Sequence, residues 1–245
     1  MKHTNFGKIS MIVFVAILIL ATPIAAQRPQ IQQLLETKEC QGCNLVAASL
    51  TRIDLKSANL YDADLSSADL FAADLSDANL QNAKLSGANL SRATIVNSNL
   101  RNANFELANL SNASLKDSIL KNSNFTGSNL IRANLGNTNL EKVTLIDANL
   151  TDAYLKDANL KDAMLQNANF NGADLRGVSL IYADLSNANL TNADLTGANL
   201  TGADLSDANL SQANLKEANF RMANLKNANL KYANLDDTRI KDAYR

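Results

Sequence analysis

Cys40 and Cys43 are the side chains whose type and spacing most directly announce chemistry, standing three apart in the run CQGC. A C-x-x-C pair can close a structural disulfide, exchange disulfides as a redox couple, or supply half of a tetrahedral metal site. Exchange chemistry wants a helix amino terminus in a βαβ setting, and no such setting surrounds this pair. Two thiols also fall short of the four ligands of a structural zinc site. A structural disulfide is therefore expected, with Gly42 easing the tight loop; a buried reduced pair and a redox couple are the alternatives. Acid–base chemistry has little to work with. His3 is the one histidine and lies in an apolar amino-terminal segment, so the remaining chain offers no imidazole as base or ligand. No G-x-G-x-x-G, phosphate loop or serine elbow is present. The many carboxylates could pair for glycoside chemistry only beside a cleft. The chain is expected not to be an enzyme and to need neither cofactor nor metal.

The elements that hold these residues follow from one register. From Leu45 to Ile240 every fifth residue is large and apolar: forty sites, of which thirty-four are Leu, four Phe and two Ile. Because the register never breaks, it must reflect one repeated environment. Two residues before each site stands a small residue, usually Ala. Five residues advance about 500° on an α-helix and leave no apolar stripe. On a strand, an odd spacing sends alternate side chains to opposite faces. The chain must instead turn at every pentapeptide and wind around a common axis, so that neighbouring coils complete one another's core.

This pattern, (Ala)(Asp/Asn)(Leu/Phe)XX, resembles the pentapeptide repeat family over about four fifths of the chain. The resemblance implies a right-handed, four-sided β-helix, a solenoid with one pentapeptide per side, over residues 40–245. Ten coils at ordinary strand spacing, about 4.8 Å, would make a rod roughly 48 Å long. Some family members are DNA mimics that bind topoisomerases and confer quinolone resistance. That role goes with a strongly negative rod in the cytoplasm, from which this sequence departs. The departures resemble extracytoplasmic or thylakoid-lumen members.

Residues 1–26 read as an export signal: Lys2 and Lys8, an apolar run from Ile9 to Leu20, then small residues to Ala26. A run of twelve is short for a membrane span of about twenty residues. Cleavage after Ala26 leaves no stable membrane span and places the protein in a periplasm or thylakoid lumen, or secreted. It also changes the formal charge from −1 to 21 minus 24, or −3. So small an imbalance gives no nucleic-acid footprint. Residues 28–39 carry Ile31, Leu34 and Leu35 in helical phase after Pro29, and a short helix capping the first coil is expected.

With the interior committed to packing, partners must meet the outward positions. Asn recurs there every twenty residues and is read as scaffold, bonded to its own turn and to the Asn above. Lys and Asp rows lie side by side and compensate. Apolar exceptions remain: Phe71, Leu107, Ile131, Tyr154, Ile181 and Tyr182 are the residues expected to form any protein-contact surface on the side of the rod. Ile240 and Ala243 keep the register to the last coil, so an end-to-end homodimer is a second expectation. The function these features suggest is a non-catalytic structural or protein-interaction module outside the cytoplasm. A redox accessory using Cys40 and Cys43 and, further off, a topoisomerase inhibitor are the alternatives.

Overall fold

The computed structural model describes residues 24–244. The export segment expected over residues 1–26 lies outside them except for its last three positions, which open a helix. That helix, α1, runs Ile24–Thr37, so it starts earlier than the expected 28–39 and places Pro29 in its interior, where one backbone bond is lost. It stops where Lys38 turns left-handed, at a φ of 60°. The Thr37 hydroxyl accepts from Glu39 N–H (3.1 Å) at the same point. Among the described residues no helix is long and apolar enough to cross a membrane.

From residue 39 onward the backbone repeats a single arrangement. A bridging residue is followed by a large inward residue, a two-residue turn and a small inward residue, and the cycle restarts. Each bridging residue pairs in parallel with the residue twenty positions on, from Glu39 with Asn59 to Asn224 with Tyr244. Between coils the N–H of the large residue donates to the carbonyl nineteen positions ahead, as Leu45 N–H does to Asp64 (2.7 Å). Asp64 N–H returns the bond to Cys43 (2.8 Å).

The expectation of a β-helix is corrected here. Among the described residues there is no β-strand, only bridges one residue long, so the terms β-helix and solenoid, which describe stacked strands, do not apply. The reason is the turn. Every fifth residue from Gly42 to Asp237 has φ between 53° and 67°, a left-handed conformation no strand tolerates. Two consecutive ladder residues never occur. What the backbone keeps is the twenty-residue offset, four turns to a coil.

The core is a column of the large residues and their small partners, buried from Leu45 to Phe220 except at the half-buried Ile53. Phe105 and Phe125, one coil apart, stack with centroids 4.4 Å apart. Where a hydroxyl replaces the small Ala it finds a backbone partner at Ser98, Ser118, Ser123 and Thr138, whereas the buried Ser128 Oγ has none among the described residues. Ser118 Oγ donates to Ile95 O (2.6 Å) and accepts from Ser98 N–H (3.0 Å), bridging a turn that alanine leaves to the backbone alone. Thr138 and Ser123 donate to the carbonyl three residues back, each at 2.5 Å. A satisfied hydroxyl of alanine size costs the column little.

Candidate interaction surfaces

The amino-terminal end of the rod is closed by α1. Gln27 and Leu34 are buried and Ile31 packs against the core, whereas Leu35 is 47% exposed. The inward stripe is thus 27, 31, 34, and its first member is polar for a reason. Gln27 Nε2 donates to Val46 O (2.7 Å), the carbonyl that a further coil would reach with a backbone N–H. Gln30 Oε1 accepts from Asn44 N–H (2.7 Å), and Lys38 Nζ donates to Asp54 O beside the Asp54 carboxylate. Three side chains therefore stand in for the missing backbone of a preceding coil. Beneath them Cys40 and Cys43 are joined in a disulfide, with their Cα atoms 5.2 Å apart and both residues buried. No histidine or cationic side chain bonds either sulfur among the described residues, and none of those residues groups into a metal-holding cluster.

Along the sides, the Asn rows form polarised ladders. Asn89 Nδ2 donates to Asp69 Oδ1 (2.9 Å), Asn129 to Asn109 (3.2 Å) and Asn189 to Asn169 (2.9 Å). Each Oδ1 also accepts the N–H two residues on, as from Ser91 to Asn89 (3.2 Å). Acceptor and donor are both used within the protein. Some lysines are paired with neighbouring acids, as in Lys56–Asp77 (3.7 Å) and Lys116–Asp117 (3.5 Å), contacts worth only about 0–1 kcal/mol each.

Several carboxylates are held below their usual range. For Asp174 the main cause is Arg176, which donates Nε and Nη2 to the two oxygens at 2.8 and 2.6 Å, partly offset by burial. For Asp74 it is the hydroxyl and N–H of Ser76. At Asp64, burial works upward but is outweighed by Ser66 and Lys84. A carboxylate with a lowered folded pKa stabilises above its unfolded value, near 3.9, and that contribution is lost as pH falls through the folded value. The thermal midpoint should be level from neutral to mildly acidic pH and fall below about pH 4. In Arg176→Asn that fall should be shallower, which thermal melts across a pH series would show.

The six side-chain candidates do not gather into one surface. With twenty residues per coil, Leu107, the pair Phe71 and Ile131, Tyr154, and the pair Ile181 and Tyr182 fall on four different sides. Three of them already have a partner: a glycine one coil away. A Cβ on Gly127 would stand 2.9 Å from Leu107, one on Gly136 would stand 2.8 Å from the Tyr154 ring, and one on Gly202 would stand 2.5 Å from Tyr182. These side chains lie flat over bare backbone, which accounts for both the apolar residue and the glycine. Phe71 sits between Arg52 and Arg92, each guanidinium 5.8 Å from its centroid. Ile131 and Ile181 are half-buried and make no specific contact. Leu107, Tyr154 and Tyr182 stay exposed on the sides, and a second apolar exposure lies at the last coil, where the register runs on to the end: Met222, Tyr232, Leu235 and Tyr244 are exposed and Leu230 and Ile240 are half-buried.

Comparison with known proteins bears on what this rod is. A family model described as pentapeptide repeats (8 copies) matches residues 39–77, 73–112, 168–207 and 203–242, and one described as a pentapeptide repeat region matches 93–175. No curated protein matches. Among solved structures, the chain is similar to HetL, a pentapeptide repeat protein involved in heterocyst differentiation regulation from the cyanobacterium Nostoc sp. Strain PCC 7120. The identity is 34% over 80% of this chain and 92% of that one, with a TM-score of 0.36. A pentapeptide repeat protein from the Arabidopsis thaliana thylakoid lumen is 30% identical over 43% of this chain and 70% of its own, with a TM-score of 0.33. QnrB1, a plasmid-mediated fluoroquinolone resistance protein, is 17% identical over 78% of this chain and 85% of its own, with a TM-score of 0.52; at that identity the likeness reaches the fold alone. With an unbroken five-residue register and family matches that together span residues 39–242, the chain belongs to the pentapeptide repeat family, as a non-catalytic repeat-protein module.

Proposed function

We propose that this chain is an exported interaction rod that works in a periplasm or thylakoid lumen and makes its protein contact at the coil formed by residues 225–244. The observation that carries this reading is the contrast between the two ends. At the first coil α1 covers the core and satisfies the backbone. At the last described coil Tyr232 is 75% and Leu235 40% exposed, and the N–H groups of Leu230, Leu235 and Ile240 have no backbone acceptor among the described residues. Exposed apolar side chains beside unpaired ladder groups invite a further coil. The occupant that fits best is the same coil of a second copy, because its edge has the same spacing by construction. Export is supported by the apolar segment from Ile9 to Leu20 and by the likeness to a lumenal relative. A cut after Ala26 leaves Gln27, the first capping side chain, in place. Sedimentation of the mature protein should show a dimer that Leu235→Lys converts to monomer. A parent protein that stays monomeric at high concentration would overturn the end-to-end reading.

The likeness to QnrB1 favours a second reading, a fluoroquinolone-resistance role. The charge distribution speaks against it, since the acids at Asp77, Asp117, Asp157 and Glu217 are each paired with a lysine and no side of the rod is uniformly negative. The redox alternative would need a reachable sulfur, and both cysteines are buried under α1.

A further inference from the structure

The side of the rod that carries Arg52, Phe71 and Arg92 sets two arginines from different coils on one aromatic ring. Lys56, Lys84, Lys116, Lys121, Lys156, Arg176 and Lys216 each have an acid within ion-pair distance. Among the described residues Arg52 and Arg92 have none, as is also true of Arg101, Lys142, Lys161, Lys226, Lys231, Arg239 and Lys241, but Arg52 and Arg92 alone share a ring, each lying 5.8 Å from the centroid of Phe71. Their positions differ by forty residues, two coils, and the same row holds Ala72 between them and Arg132 two coils further on. Arg132 is 3.7 Å from Asp152. The nearest acid on this side, Asp69, is occupied by neutral donors, Thr51 Oγ1 (2.9 Å) and Asn89 Nδ2 (2.9 Å). The turn position gives arginine no local advantage, because φ is 55° at Arg52 and 60° at Arg92, where Asn, Asp or Gly is favoured.

We propose that this side binds a linear acidic polysaccharide through Arg52 and Arg92, with Phe71 as the residue that positions them. Two coils at ordinary spacing set the backbones of Arg52 and Arg92 about 9.6 Å apart, with the Phe71 ring 5.8 Å from each guanidinium. Phe71 fills the gap over Ala72 and holds each planar fork ready for a bidentate carboxylate. The repeat distance selects the ligand. An extended peptide presents same-face side chains about every 6.6 to 6.8 Å, and duplex DNA one phosphate per strand about every 3.4 Å. Although three phosphate steps come close to the two-coil distance, a DNA strand winds away from a straight row within a helical turn of about 34–36 Å, and the peptide spacing does not keep step with cations two coils apart. A β-linked uronate chain, whose carboxylates alternate in direction, shows one to a given side for every two sugar rings, and that longer repeat does.

The test is calorimetric titration of the full chain with polymannuronate oligosaccharides, with neutral dextran, polyglutamate and duplex DNA as comparators. Polymannuronate should bind saturably, and Arg52→Asn/Arg92→Asn, which suits the left-handed turn, should weaken it by about tenfold or more. Phe71→Leu keeps both charges and should cost about threefold by loosening their spacing. Lys121→Asn/Lys161→Asn, on another side, should leave binding unchanged. The proposal is overturned by absent binding, by equal affinity for polyglutamate or DNA, or by arginine variants that bind as the parent does.

Discussion

A Leu130→Asn protein should be destabilised by about 4–6 kcal/mol, combining a lost buried leucine with an unpaired amide. Leu130 is fully buried in the central column, with Leu110 below it and Leu150 above in the same row. The column is walled by backbone whose own groups are taken: Leu130 N–H already donates to Asn149 O (2.7 Å). The one buried polar atom left without a partner in that pentapeptide, among the described residues, is Ser128 Oγ, a single hydroxyl that cannot satisfy both ends of an amide. Because each coil touches only its neighbours, the damage should be local. Hydrogen exchange should show lost protection around residues 110–150 before the coils near α1 open, and urea melts should broaden or split. Ile131→Asn, one residue on but outward and half-buried, should cost under about 1 kcal/mol. Equal losses for the two variants would mean that the inward register is not what holds the rod together.

That contrast between positions 130 and 131 shows why so much of this fold was legible in the residues alone. Steric demand inside a narrow column is repeated at every fifth position, and only large apolar residues with a small companion meet it. The strand character was misjudged for an equally local reason. The position two after each large residue is rich in Asn, Asp and Gly, as in Asp62, Asn82, Gly87 and Asn102, and those residues share a tolerance of positive φ. A left-handed residue every five positions leaves room for bridges but not strands. Asn and Asp stand both at that turn and before each leucine, so composition alone does not separate the left-handed position from the bridging one.

The interaction residues were harder to place because exposure depends on what lies one coil away. The twenty-residue offset would have set Leu107 beside Gly127 and Tyr182 beside Gly202, neighbours that bare backbone under one flank of side chains that stay 69% and 55% exposed. Apolar periodicity likewise chose Leu35 for the inward face of the helix and overlooked Gln27. Its apolar stem fits the stripe while its amide bonds Val46 O, a role that depends on the edge beneath it.

Leu34→Asp should undock α1 entirely, and the size of that effect follows from what the helix is made of. Its fourteen residues include Pro29, and a helix of that length is marginal in water even without proline. Its order therefore depends on the rod. Leu34 is fully buried against the first coil with Ile31 beside it. A carboxylate there must either be buried without a partner or leave, and leaving is cheaper. The helical circular-dichroism signal should vanish while the repeat region keeps its fold. The uncovered edge at Asn44, Val46 and Asp54 should then make the protein self-associate, seen as larger species in sedimentation. Replacing Gln27 and Gln30 together by Met keeps their bulk and removes both bonds to that edge, at about 1–3 kcal/mol for each backbone group left unpaired. The helix should stay docked in that variant, with a lower thermal midpoint. A Leu34→Asp protein that keeps the assembly state of the parent with its helical signal intact would show that the disulfide and Lys38 hold α1 without its apolar stripe.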